Sequence, residues 1–160
     1  MSLVRPKLIL ASQSPRRREL LAAAGYPFEV HPPSPAAECG ICSGESAAQM
    51  VGRRACQKAR DVGSRIGSGL IVACDTVAEC GGEILGKPHD EDHARHMLQL
   101  LRGRRHRVVS GLCLWDKPRR EPVVGVETTT LQMDLLSDRE TSTFSHRATR
   151  SRQFVSAKSA

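Results

Sequence analysis

Aromatic residues are scarce in this chain of 160 residues, since three Phe, one Tyr and one Trp make up only 3% of it. A hydrophobic core must therefore rest on Leu, Val, Ile and Ala. No apolar run approaches the ~20 residues of a membrane span, and the first residues do not form a signal peptide. With 39% hydrophobic and 26% charged residues, the composition predicts a globular, cytoplasmic domain.

An acidic excess is also absent, because the formal net charge is +7. Residues 141–160 contain four Arg or Lys and no acid, so they supply +4, and the first 140 residues carry +3. A mildly basic domain with few aromatic residues to stack on bases is not typical of nucleic-acid-binding proteins. A nucleic-acid binder with a basic tail stays an alternative, and it predicts affinity that falls steeply with salt.

The six cysteines include one pair with metal-ligand spacing, Cys39 and Cys42, but no second pair or His-x-x-x-His motif completes a zinc site. Cys74 and Cys113 occur in apolar, strand-like runs, where a thiol is usually a small core residue. We therefore expect reduced cysteines. A redox or metal role for the first pair is the alternative.

Residues 7–19, KLILASQSPRRRE, combine a strand with the start of a helix. Leu8 to Ala11 form an apolar run of strand length. Ser14 as N-cap, Pro15 at the first helical position and Gly25 just beyond the end predict the helix that follows.

Ser12 and three arginines, Arg16, Arg17 and Arg18, surround the predicted start of this helix. Backbone N–H groups, the positive end of the helix dipole and guanidinium groups would converge there, which favours a phosphate ligand. The alternative is a cationic helix start on the protein surface.

Strands and helices alternate along the rest of the chain, which predicts an α/β fold with a mixed twisted sheet flanked by helices. Gly81-Gly82 predicts a hairpin turn. In the helix predicted from Glu45 to about Val62, the apolar stripe excludes Lys58. The stripe of that helix consists of Ala48, Val51, Ala55 and Ala59. A strand is predicted over 70–73, with Asp75 just after its end. The other predicted elements are a short strand and a loop over 26–44, a helix from Asp90 to Leu101, and strands over 106–115 and 123–136.

The last residues are locally inconsistent. Ser137 to Glu140 form a capping box, which predicts the start of a helix. Residues 141–160 have no apolar stripe and are rich in Ser, Thr and Arg, which is typical of disorder. We therefore predict a folded domain over 1–140 and a divergent, basic Ser/Arg-rich tail without a helix over 141–160.

Asp75 and Lys87 are the strongest candidates for chemistry outside the Ser/Arg stretch. Asp75 follows a buried strand, where open α/β sheets place their sites, and Lys87 follows Gly86 on the predicted hairpin. An acid with Arg and Lys donors suits hydrolysis of a phosphoanhydride, because the carboxylate would hold Mg²⁺ or deprotonate water and the cations would stabilise charge on the phosphates. Alternatively, Asp75 caps a turn and Lys87 is solvated.

Several motifs in order resemble the Maf-type nucleoside triphosphate pyrophosphatases through about Glu140, namely LILASQSPRRREL, FEV…E, ACQKA, ACDTV, GEILGKP, ML..LRGRRHRVVSG and VETTTLQM. The resemblance implies a Maf/ITPase-like fold and a hydrolase that splits a nucleoside triphosphate between its α- and β-phosphates. It also implies a divalent metal cation, Mg²⁺ or Mn²⁺, and it permits a homodimer.

Position by position, the resemblance implies that Asp75 is the catalytic proton acceptor and, with Glu38, a metal ligand. The pair of Arg16 and Thr76 resembles the subgroup that acts on dTTP and UTP. The residues that the resemblance assigns to substrate binding are Ser12, Arg16, Arg17, Lys58, Thr76 and Lys87.

Family members continue after the strand corresponding to Val126–Leu136 with a segment that helps to close the pyrimidine site, and nothing in residues 141–160 matches it. We therefore expect a fold with an incomplete C-terminal part, and we attribute it to a disrupted reading frame or gene end. The leading hypothesis is a dTTP/UTP pyrophosphatase. The alternative is a catalytically impaired nucleotide-binding remnant of the same family.

Overall fold

The computed structural model describes residues 6–38 and 44–146. Within these ranges strands and helices alternate, as the sequence predicts. The elements are β1 (Leu8–Ala11), α1 (Pro15–Ala23), β2 (Phe28–Val30), a 3-10 turn (Pro35–Glu38), α2 (Ala47–Gly63), β3 (Gly69–Cys80), β4 (Glu83–Leu85), α3 (Glu91–Leu101), β5 (Arg105–Lys117) and β6 (Val123–Gln132). A further helix, α4, covers residues 138–146.

One sheet contains all of these strands in the order β2-β1-β3-β5-β6, with β4 paired to β3 beside this path. β1 runs parallel to both β2 and β3, whereas β3 and β4 are antiparallel. The prediction of a mixed sheet with helices is therefore confirmed. In the described part of the chain, none of the helices has the length and apolar character needed to cross a bilayer.

The chain divides into two compact units. The first contains residues 1–76 and 109–127, and the second contains residues 77–108 and 128–160. Small and aliphatic side chains fill the core of the first unit, as the low aromatic content requires. Its buried members are Ile9, Ala11, Ala55, Ala59, Val62, Ile71, Ala73 and Cys113.

Helix α2 begins with a capping box, in which the Ser46 hydroxyl accepts from the backbone N–H of Gln49 and the Gln49 side chain accepts from that of Ser46. Two predictions about its faces are wrong. Ala48 is exposed, and Lys58 is buried. The reason is geometric, since Lys58 follows Ala55 by three positions and therefore lies on the same stripe.

Strand β3 is much longer than the run predicted over 70–73. Its first part pairs with β1 up to Ala73, and its last part pairs with β4, so the strand continues through Asp75 to Cys80. Asp75 therefore lies inside the strand and not at its end. The predicted hairpin turn at Gly81-Gly82 is confirmed, because both glycines have positive φ angles of 59° and 87°.

In the second unit, α3 begins at its predicted cap, where Asp90 Oδ1 accepts a hydrogen bond of 2.7 Å from the His93 N–H. Only Ala94 of the helix is fully buried. Met97, Leu98 and Leu101 of the helix line an apolar cavity of about 560 Å³ together with Phe144 of α4.

The capping box at Ser137 and Glu140 does start a helix, and the prediction that no helix follows it is wrong for residues 138–146. Hydroxyl groups replace an apolar stripe there. Thr141 Oγ1 donates to Ser137 O at 3.0 Å, and the buried Ser145 donates to Ser142 O at 2.9 Å. Such bonds within the helix satisfy buried hydroxyls. The rest of the predicted tail, 147–160, lies outside the described residues.

Candidate active site

A buried ion pair lies at the centre of the candidate site. Lys58 Nζ donates a hydrogen bond of 2.7 Å to Asp75 Oδ1, and the two residues are only 4% and 9% exposed. Glu38 Oε1 lies 3.3 Å from the same Nζ atom. Because a buried charge needs partners to offset its desolvation, the lysine is held between two carboxylates.

The pairing of β1 with β3 positions Asp75. Leu8 to Ala11 pair in parallel register with Leu70 to Ala73, and Asp75 comes two residues later. Asp75 therefore lies just beyond the carboxyl end of β1, although β3 itself continues to Cys80, and open α/β sheets bind ligands beyond the carboxyl ends of their strands.

Asp61 of α2 anchors the segment that leads to Glu38. Its carboxylate accepts hydrogen bonds from the Ser34 hydroxyl at 2.6 Å and from the Ser34 N–H at 2.8 Å. Arg65 donates to the same carboxylate at 2.8 Å and to Pro32 O at 2.8 Å. These bonds, with that of the Ser34 hydroxyl foremost, hold the pKa of Asp61 below its ordinary value.

Arg17 connects the loop after β1 to β3. Its Nη1 donates to Ser12 Oγ at 3.2 Å and to Cys74 O at 2.9 Å, and its Nη2 donates to Thr76 Oγ1 at 3.2 Å. The Thr76 hydroxyl also shares a hydrogen bond of 3.0 Å with Ser110 Oγ. Three of the predicted substrate-binding residues are thus brought into direct contact.

Helix α1 begins at Ser14 with Pro15 in its first turn, as predicted. The Ser14 side chain makes no capping hydrogen bond, while its N–H donates to Ser12 Oγ at 3.2 Å. Arg16 extends outward, with its side chain 76% exposed and 3.5 Å from Glu19. The structure therefore places Arg17, and not Arg16, in contact with Thr76.

Comparison with known proteins identifies the family. The model of a family described as Maf-like protein matches residues 7–154. This chain belongs to the Maf-like family. The match confirms the resemblance carried by the sequence motifs, and it extends into the segment that we predicted to be a divergent tail.

Two relatives of this Maf-like protein are named dTTP/UTP pyrophosphatase. The one from Rhodopirellula baltica is 58% identical over 133 residues, which cover 83% of this chain and 59% of that protein. The one from Alkaliphilus oremlandii is 42% identical over 135 residues, which cover 84% of this chain and 69% of that protein. The chain thus spans less than two thirds of the length of the Rhodopirellula relative.

A solved structure supports the fold of this Maf-like protein. The Ham1 protein of Staphylococcus aureus matches 79% of this chain and 71% of its own chain, with a TM-score of 0.52 and 15% sequence identity. The two proteins therefore share a fold, which agrees with the predicted Maf/ITPase-like architecture.

Asp75 and Glu38 of this Maf-like protein are carboxylates of the kind that could hold a divalent cation. In residues 6–38 and 44–146, no group of three or more His, Cys, Asp or Glu side chains is arranged as a metal site. Asp75 Oδ2 is buried and has no hydrogen-bond partner in those same ranges, and Glu38 Oε1 lies 3.3 Å from Lys58 Nζ. Mg²⁺ commonly uses one or two carboxylates and completes its coordination with water and substrate phosphates.

Lys87, like Arg16, is a predicted substrate-binding residue that the structure does not add to this cluster. It lies in the second unit, two residues after β4 ends. Its role stays a prediction.

Sequence reasoning missed two residues of the site, Arg54 and Ser110. Arg54 Nη1 lies 3.8 Å from Asp75 Oδ2. Its position four residues before Lys58 on one helix could have revealed it, because residues at this spacing share a face. Nothing in the sequence pairs Ser110 with Thr76, since the register of β5 is set by contacts between distant segments.

The described cysteines Cys56, Cys74, Cys80 and Cys113 are free thiols, as predicted. Burial raises the pKa of Cys74, and burial with the adjacent Cys56 raises that of Cys113 to about 12. Buried thiols with raised pKa values are poor nucleophiles, so the chemistry of the site rests on its carboxylates and cations. Cys39 and Cys42 lie outside the described residues.

Proposed function

We propose that this Maf-like protein hydrolyses dTTP and UTP to the nucleoside monophosphate and pyrophosphate. The observation that carries the proposal is the buried contact between Lys58 and Asp75, beside the network of Arg17, Ser12 and Thr76. It combines a carboxylate that can accept a proton with cations that can bind phosphates. The names of the two relatives support the choice of dTTP and UTP as substrates.

In the proposed reaction, a water molecule attacks the α-phosphorus and transfers a proton to Asp75. The bond between that phosphorus and the oxygen bridging to the β-phosphate breaks, and pyrophosphate leaves with the electron pair. Lys58 and Arg17 would stabilise the negative charge that develops on the phosphate oxygens. The uncapped first turn of α1 offers backbone N–H groups to the same anion, and Arg16 and Lys87 are proposed as further phosphate ligands.

Asp75 and Glu38 would hold the divalent cation, Mg²⁺ or Mn²⁺. When bound, such an ion neutralises part of the triphosphate charge. Asp75 can serve as ligand and as proton acceptor, because a carboxylate offers about four lone-pair sites on its two oxygens. A cytoplasmic location and a homodimer belong to this proposal, the first because free thiols persist in a reducing compartment.

Pyrophosphate release tests the proposal. The wild-type chain and the nearly isosteric variant Asp75→Asn are incubated with dTTP, UTP, dCTP, dATP and GTP in Mg²⁺ or Mn²⁺. We expect release from dTTP and UTP by the wild type, and a loss of about a hundredfold or more in the variant. A folded wild type that releases no pyrophosphate from any nucleotide would refute the proposed activity.

A nucleotide-binding protein without activity is the second candidate, because the groups that Arg17 joins, Ser12 and Thr76, can serve phosphate binding without any proton transfer to Asp75. This candidate predicts that dTTP and UTP bind to the folded chain but are not hydrolysed. Calorimetric titration with each nucleotide, run beside the release assay, separates the two functions.

A further inference from the structure

Arg54 is a second cation beside the carboxylate of Asp75. It precedes Lys58 by one helical turn on α2, and its Nη1 lies 3.8 Å from Asp75 Oδ2. Its side chain is only 19% exposed. The distance is too long for a hydrogen bond, so the guanidinium acts on Asp75 through its charge.

The two oxygens of Asp75 have different surroundings. Oδ1 accepts the 2.7 Å hydrogen bond from Lys58. Oδ2 is buried, and in the described part of the chain no group donates a hydrogen bond to it. A buried oxygen without a donor is costly, and it is also the oxygen that has lone pairs left for an incoming proton.

The contact with Lys58 alone does not fix the carboxylate. The terminal torsion of an aspartate is broad and nearly two-fold, so a single hydrogen bond to Oδ1 leaves the carboxylate plane free to rotate. A positive charge on the side of Oδ2 restricts that rotation, because it attracts the second oxygen from another direction.

We propose that Arg54 is a positioning residue for the pyrophosphatase reaction, and that it orients Asp75 so that Oδ2 receives the proton of the attacking water. This inference rests on the proposed function and adds to it a residue outside the predicted site. Arg54 is assigned to act through Asp75 because its Nη1 lies 3.8 Å from Asp75 Oδ2.

Steady-state kinetics with dTTP and UTP test this role in three variants. Arg54→Met removes the charge and keeps the length, Arg54→Lys keeps the charge, and Arg60→Met removes a charge from an exposed position of the same helix. We expect Arg54→Met to lower kcat about tenfold or more while KM stays within about twofold of the wild type. Arg54→Lys recovers most of kcat, and Arg60→Met behaves as the wild type.

Thermal unfolding gives a second measurement that does not depend on activity. If Arg54 acts on Asp75, then Arg54→Met shifts the Tm of the wild type but shifts that of Asp75→Asn much less, because the charge it faces has gone. Equal shifts in both backgrounds would refute the contact.

The outcomes separate this inference from the proposed function. A rise in KM at constant kcat would make Arg54 a phosphate ligand and overturn the positioning role, as would an Arg54→Met variant with wild-type kinetics. A wild type without pyrophosphatase activity would refute the proposed function and with it the role of Arg54 in catalysis. The comparison of Tm shifts in the wild-type and Asp75→Asn backgrounds would still decide whether Arg54 acts on Asp75.

Discussion

Lys58 is the most deeply buried cation of the site, with its side chain only 5% exposed. Its Nζ lies 2.7 Å from Asp75 Oδ1 and 3.3 Å from Glu38 Oε1, so its removal deletes the hydrogen bond to Asp75 and one of the two cations beside that carboxylate. We expect Lys58→Met to lower the free energy of unfolding by about 3–5 kcal/mol and to abolish pyrophosphate release. Urea unfolding and the release assay measure the two effects.

Arg60→Met is the control for this prediction, since Arg60 is exposed on the same helix. Its free energy of unfolding should stay within about 0.5 kcal/mol of the wild type. A Lys58→Met protein as stable as this control would show that the buried pair does not hold α2 to β3.

Asp61 is predicted to make the free energy of unfolding decrease as the pH falls into the acid range. The Ser34 hydroxyl and N–H lower the pKa of Asp61 in the folded chain, whereas the unfolded carboxyl keeps an ordinary pKa of about 3.9. A lowered pKa stabilises the fold fully above the unfolded value, and this stabilisation is lost as the pH falls through the folded value. Urea unfolding between pH 7 and pH 3 should therefore show that the free energy of unfolding falls less steeply with decreasing pH in Asp61→Asn than in the wild type. We call this dependence the acid slope.

Glu121→Gln provides the matched control for Asp61→Asn, because Glu121 is an exposed acid in the turn after β5. This variant should retain the acid slope of the wild type. If Asp61→Asn also retains that slope, the bonds to Ser34 contribute nothing to the pH dependence.

Individual site residues were predictable where a motif fixes their type and spacing. The contacts of Ser12, Arg17 and Thr76 agree with the predicted set. The burial of Lys58 follows from its position three residues after Ala55 on the same helix face, but the carboxylate that offsets its charge could not be predicted from that face. That carboxylate, of Asp75, is supplied by another element.

At the scale of elements, the contact between α2 and β5 allows only glycine at position 111. A Cβ atom on Gly111 would lie 2.3 Å from Val51 O and 2.8 Å from Gly52 N. Both atoms belong to the backbone of the helix that carries Lys58, so they cannot move aside alone. We expect Gly111→Ala to lower the free energy of unfolding by about 3 kcal/mol, measured by urea denaturation.

Gly125→Ala tests the same substitution without the close contact. Among the residues that the structure describes, nothing lies within 4 Å of a Cβ at Gly125 on β6. The change should leave stability within about 1 kcal/mol of the wild type, because alanine restricts the unfolded chain more than glycine. Equal effects of the two variants would contradict the packing argument.

Elements with strong local signals were predictable, and those fixed by distant contacts were not. Ser14, Pro15 and Asp90 marked helix starts correctly. The full length of β3 depends on pairing with β4, which a scan for apolar runs does not detect. Helix α4 escaped prediction because hydroxyls, and not apolar side chains, cover its buried face.

At the scale of the whole molecule, composition and element order were sufficient for the fold class but not for the strand order. β1 pairs with β3 across some sixty residues, at Leu8 and Leu70, and such register depends on packing that no local pattern encodes. Net charge was similarly uninformative about the position of the candidate site, since its cations Lys58 and Arg54 are largely buried and do not form a basic surface.

Ligand binding should stabilise the whole first unit, because its site residues come from the loop after β1, the 3-10 turn, α1, α2 and β3. A ligand that binds only the folded state at a hundred times its Kd adds about 2.7 kcal/mol, and for a chain of this size we expect the Tm to rise by about 5–10 °C. We expect this shift with dTTP or UTP in Mg²⁺, measured by differential scanning calorimetry.

EDTA should remove most of this rise in Tm, because Asp75 and Glu38 repel the triphosphate once the cation is gone. An equal shift with and without EDTA would mean that Lys58 and the arginines bind the nucleotide alone, and would remove the cation from the proposed site.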